Sequence, residues 1–186
     1  IFGSVFLVSQ YLQIGMGFGP LESGLRAAPW TMVPMVVAPV AGVLVKRYGP
    51  RAVLLIGMVL QTAAVGCFVL LAHTSSGYGP YVLPMLIAGT GMGLTFSPLA
   101  TAVLEGIASQ DRAIVSGVNQ TARQLGTATG IALCTALFTT FGAYAPGERF
   151  TAGLVPALGA CTVLLVAATA LVIAMPRGRL QPAGQQ

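Results

Sequence analysis

The sequence predicts an all-α integral membrane protein, one bundle of six transmembrane helices. Three observations predict it. Charged residues are 7% of the 186-residue chain and hydrophobic ones 55%, whereas a soluble domain carries about 25% charge. The apolar residues gather into six runs; those after the first, at roughly 18–24 residues, reach about 27–36 Å across a hydrocarbon core of about 30 Å. Every charged residue except Arg123 falls in a break between runs or beyond the last.

The first run covers about 1–16. Ile1 already lies inside it, with neither an initiator Met nor a basic stretch ahead. That argues against a signal peptide and suggests the C-terminal piece of a longer protein. Gln10 and Gln13 lie three residues apart, hence on one helical face, beside Tyr11. Gln13 and Tyr11 suit an interface, while the deeper Gln10 needs a partner or a wet cavity.

The second run, about 28–45, carries Pro29, Pro34 and Pro39 and ends at the stretch that sets the topology. In Gly42 to Arg51, two apolar runs meet at a short turn with Lys46, Arg47 and Arg51. Lys46 and Arg47 suit the negative C-terminal end of a helix dipole. Gly49 can end that helix in a left-handed conformation, and Pro50 is preset for the first turn of the next. Arg51 opposes the next helix's dipole, so a lipid phosphate or another loop is its expected partner.

The third run, about 52–72, has Gln61 as its most polar interior residue. The fourth, about 81–104, holds Pro84, Pro98 and the run Gly89-Thr90-Gly91-Met92-Gly93. Two readings stand for it: close helix packing through small residues, or a flexible helix lining a cavity, where Thr95, Ser97 and Thr101 satisfy the loosened backbone. The fifth, about 118–141, opens on Asn119, Arg123, Gly126 and Gly130, spaced four, three and four apart on one face. Arg123 either snorkels to the surface or sits in the membrane facing protein or water. The sixth, about 152–175, is plain, and residues 176–186 form a short polar tail.

Orientation follows from the basic residues. With the turn on the cytoplasmic side, Lys46, Arg47, Arg51, Arg112, Arg177 and Arg179 share that side, against Arg26 and Arg149 outside. This satisfies the positive-inside rule and places the C-terminus in the cytoplasm of a multi-pass cell-membrane protein. The +5 net charge thus reads as lipid anchors rather than a nucleic-acid surface. Cys67, Cys134 and Cys161, widely and irregularly spaced in apolar runs, read as buried thiols with no metal or redox pattern. His73, the only histidine, lies in a loop, and Glu22, Glu105, Asp111 and Glu148 lie outside the runs. A metal site, a catalytic triad and an enzyme of any kind are therefore not expected.

Four stretches together resemble the C-terminal half of a major facilitator superfamily transporter, most closely the fourteen-span drug:proton antiporters. They are Tyr11-Leu12-Gln13 with Gly19 to Leu25, Gly42 to Arg51, Gly89 to Leu99, and Ser116 to Asn119 with Arg123 to Gly126. The second resembles the superfamily's loop motif, in which an Asp four residues after the glycine latches one conformation. Lys46 stands at that position here, while Gly42, Arg47, Gly49 and Arg51 match.

The resemblance implies that the first and fourth helices line a central cavity, with Gln10, Gln13, Gly89, Gly91, Gly93, Phe96 and Pro98 as candidate lining. The second and fifth would face an N-terminal bundle missing from this chain, with Asn119, Arg123, Gln124, Gly126 and Gly130 at that interface. The third and sixth would lie outermost. The expected function is proton-coupled efflux of drugs or other amphipathic molecules by alternating access, with no cofactor beyond the proton gradient and the coupling acids in the missing half. Transport of a sugar, amino acid or siderophore by the same fold is the nearer alternative, and a non-transporting six-span protein the further one.

Overall fold

The computed structural model describes residues 1–74, 77–104, 108, 110–145 and 147–174, with the side chains of 73, 74, 100–104 and 148 left out. The tail with Arg177 and Arg179, and Glu105, lie outside the described residues.

Six helices follow one another: α1 (Phe2–Gln10), α2 (Pro20–Tyr48), α3 (Pro50–Thr74), α4 (Gly79–Leu104), α5 (Arg112–Phe141) and α6 (Glu148–Ala174). Five of them, α2 to α6, are long and apolar enough to cross a membrane. α1 does not stop at Gln10 but widens into a π-helical turn over Tyr11–Gly15. There the Met16 N–H donates to the Tyr11 carbonyl at 2.9 Å, five residues back. The Tyr11 ring packs over Gly15 so closely that a Cβ there would lie 2.5 Å from Cδ2.

The chain reverses at Gly17 (φ 75°), and α2 opens with Gly19 as N-cap, Pro20 in the first turn and Glu22 favouring the dipole. α2 stays helical through Pro29, Pro34 and Pro39. It ends with Lys46 and Arg47 in its last turn and Gly49 at φ 82°, ψ 155°, backbone that only glycine adopts readily. Pro50 then starts α3. Arg51 finds a protein partner: its Nη2 donates to the Ile173 carbonyl at 2.5 Å, at the negative end of α6.

Around the bundle the helices run α2, α4, α3, α6, α5, α1, each against the next, and α1 closes the ring on α2. Glycine sets the tightest contacts. At Gly91 of α4 a Cβ would lie 2.6 Å from the Gly57 carbonyl of α3; at Gly89 and Gly93 it would strike the Trp30 carbonyl and Val37 of α2, each at 2.8 Å. On this seam Gln61 donates from Nε2 to Thr95 Oγ1 (2.9 Å), and Thr95 in turn donates to the Gly91 carbonyl (2.8 Å). The most polar side chain of α3 is thereby buried with its partner supplied. Thr62, Thr90, Thr121, Thr127, Thr139, Thr140, Thr162 and Thr169 donate to carbonyls three or four residues back, hiding their hydroxyls against their own helix.

Candidate functional site

Burial is uneven among the helices, and that unevenness locates the open side of the bundle. Half of the most apolar window of α4 is buried and about a third of α3's, but only 11% in each of α2 and α5. Met35, Val36, Val40 and Val43 of α2 and Val118 and Leu125 of α5 are exposed. Exposure to lipid is ordinary for an outer helix. Here, however, the two least buried helices also carry three interior prolines (α2) and the polar stripe (α5).

Residues of α1, α4 and α5 meet beside that open side. Phe2 stacks on Phe96 with ring centroids 6.1 Å apart and planes at 23°. The Arg123 guanidinium lies 5.6 Å from the Phe96 centroid, within cation–π range. It also donates from Nη2 to Gln120 Oε1 at 2.7 Å. Arg123 is eleven residues into α5, about 16 Å along the helix. Asn119 is half-buried beside it, and Gln124 and Gly126 are exposed, with open space where a Gly126 Cβ would go. A Gly130 Cβ would likewise meet nothing within 4 Å, although the Gly130 carbonyl lies 3.0 Å from where a Cβ on Gly3 of α1 would sit. The polar stripe of α5 thus stays largely open along its length.

Of the two readings of the glycine run in α4, close packing is the one the contacts describe: Gly89 and Gly93 are occupied by α2 and Gly91 by α3. Pro98 is buried as well, while Phe96, Gln10 and Gln13 are half-buried. Neither glutamine amide has a hydrogen-bond partner among the described residues. In the loop motif Lys46 and Arg47 are exposed, and Gly42 lies 4.0 Å from Ser97 Oγ as measured from an added Cβ.

The end of the bundle away from the Lys46–Arg51 turn holds what sequence reasoning missed. Aromatic rings from α2, α3, α4, the π-turn after α1, α6 and α5 touch in succession: Trp30 on Phe68 (5.4 Å), Phe68 on Tyr81 (5.9 Å), Tyr81 on Tyr11 (5.5 Å), Tyr11 on Phe150 (5.9 Å) and Phe150 on Phe138 (4.7 Å). The Tyr11 and Tyr81 hydroxyls share a hydrogen bond at 3.2 Å. Trp30 is 3% exposed, and its indole N–H has no partner among the described residues. Above this layer Arg26 sits over the rings of Phe18 (3.7 Å) and Tyr78 (4.8 Å) and pairs with Glu22 (2.7 Å), while the Tyr78 hydroxyl donates to the Arg26 carbonyl (2.8 Å). Aromatics at the same end of the runs, Tyr11, Trp30, Phe68, Tyr81 and Phe138, with Phe150 just ahead of the sixth run, were the available signal. Its ordinary reading, a belt facing the headgroups, points those rings the wrong way.

The arrangement is a multi-pass helical bundle, closed by rings at one end, with two under-packed helices along one side. Residues 1–131 match the Major Facilitator Superfamily, and the chain belongs to that family. It is similar to the multidrug resistance protein B homolog of Mycobacterium tuberculosis, 33% identical over 75% of this chain and 26% of that protein. It is 30% identical to the uncharacterized transporter YebQ of Escherichia coli, over 91% of this chain and 36% of YebQ. The tetracenomycin C resistance and export protein of Streptomyces glaucescens is also 30% identical, over 70% and 24%. The chain therefore spans about a quarter to a third of the length of these relatives. Membership places the chain in the cell membrane and points to a transporter rather than an enzyme.

Proposed function

We propose that this bundle is one half of an exporter that moves drugs or other amphipathic small molecules across the cytoplasmic membrane. The observation that carries the reading is the pair of under-packed helices, α2 and α5, which a second bundle would cover. The export direction and the substrate class are taken from the relatives named for multidrug resistance and export. The two bundles rock about a midplane site, and the proton gradient drives the cycle.

Among the described residues no carboxylate lies inside a spanning helix away from its first turn, so the coupling acid belongs to the other bundle. On this reading Gln10, Gln13 and Phe96 meet the substrate. Asn119, Arg123 and Gln124 meet the partner bundle, and the Lys46–Arg51 turn and the C-terminus lie in the cytoplasm. The test is uptake of an amphipathic dye into everted vesicles carrying the full-length protein. Uptake on energisation that collapses with a protonophore is expected. Dye uptake equal to that of empty vesicles would overturn export, and uptake indifferent to the protonophore would overturn proton coupling.

A further inference from the structure

Cys134 of α5 and Cys161 of α6 face each other in the bundle with their sulfurs 2.9 Å apart. Both are buried, at 2% and 4% exposure. Gly3 of α1 walls the pair from the third side: a Cβ on it would lie 2.5 Å from Cys134 Sγ. The sulfur of Cys134 has no room to swing toward α1 and is held against Cys161. Cys67, on α3, is half-buried and outside this junction. The wide spacing of the three cysteines along the chain conceals that two of them meet.

We propose that Cys134 and Cys161 form a modification site, closed to an α5–α6 disulfide by a lipid-soluble two-electron oxidant of the azo or quinone class. With an azodicarboxamide, one thiol adds across the N=N bond; its S–H breaks, an S–N bond forms, and the proton goes to the second nitrogen. The other thiol then attacks that sulfur: the S–S bond forms, S–N breaks, and the hydrazine leaves with two electrons and two protons. The sulfurs need to close by less than about 1 Å to reach the disulfide length of about 2.05 Å. The apolar surroundings admit an uncharged oxidant and exclude a charged thiolate reductant, so the bridge persists once formed. It ties α5, one of the two least buried helices, to α6 within one bundle and leaves the rocking of two bundles unhindered.

The experiment treats membranes carrying the full-length protein with azodicarboxamide, alkylates remaining thiols after denaturation, and maps the peptides by mass spectrometry. The expected result is a Cys134–Cys161 cross-linked peptide lighter by two hydrogens, with Cys67 alkylated. The link should survive Cys67→Ser and vanish in Cys134→Ser. The oxidised protein should melt several degrees higher while dye efflux stays within about twofold. Alkylation of Cys134 and Cys161 to the same extent with and without oxidant, or a link through Cys67, would overturn the proposal. None of these mass readouts depends on whether the protein is an exporter.

Discussion

Gly91 and Gly126 place the same residue type in opposite environments. An added methyl at Gly91 would lie 2.6 Å from the Gly57 carbonyl and 2.7 Å from the Gln61 side chain, and backbone on both helices would have to part. Overpacking of this kind costs about 1–3 kcal/mol. At Gly126 the added atom meets nothing within 4 Å. Gly91→Ala should therefore lower the melting temperature of the detergent-purified full-length protein, and Gly126→Ala should leave it within a degree or two. Equal melting of the two variants would mean that α3 and α4 are not in backbone contact. The neighbouring Gln61–Thr95 bond is worth less, because Thr95 keeps its bond to the Gly91 carbonyl when Gln61 is gone. Interhelical side-chain hydrogen bonds in membranes average about 0.6 kcal/mol. Gln61→Leu should thus shift melting by much less than Gly91→Ala.

Elements were legible where local chemistry decides them. The α2–α3 turn is the clearest case: Lys46 and Arg47, then Gly49, then Pro50, each did in the structure what its type requires of a helix end or start. Because Gly49 sits at φ 82°, Gly49→Ala should cost about 1–3 kcal/mol in backbone strain. Lys46→Ala, at an exposed site in the last turn of α2 with no partner among the described residues, should stay within about 0.5 kcal/mol. Thermal melting of the two variants side by side checks this, and a harmless Gly49→Ala would show that the turn relaxes. The π-turn at Tyr11–Gly15 was not legible, because its cause is tertiary. Tyr11 is held between Tyr81 and Phe150, and neither contact leaves a mark on the residues near Tyr11. The glycine run in α4 shows the same limit at the candidate site. Its spacing predicted either packing or a cavity, and only the positions of α2 and α3 distinguish them.

At the scale of the whole molecule, the under-packed sides of α2 and α5 make a prediction about the second bundle proposed above. In isolation Leu125 of α5 is as exposed as Val163 of α6, at 65% and 67%. If α5 faces a second bundle and α6 faces lipid, that equality must break in the full-length protein. A spin label at Leu125 should be shielded from oxygen, which concentrates in the hydrocarbon core, while one at Val163 should relax readily. Val36 of α2 and Val59 of α3 make a second pair, exposed at 73% and 54%, with shielding expected at Val36 alone. The comparison is internal to one protein and one bilayer, so differences in expression or depth calibration do not enter. Equal oxygen access at Leu125 and Val163 would put lipid, not protein, against α5. The polar face with Asn119 and Arg123 would then need an explanation other than an interface between bundles. Shielding at Leu125 and Val36 together would instead make α2 and α5 the two helices across which the halves of the transporter move.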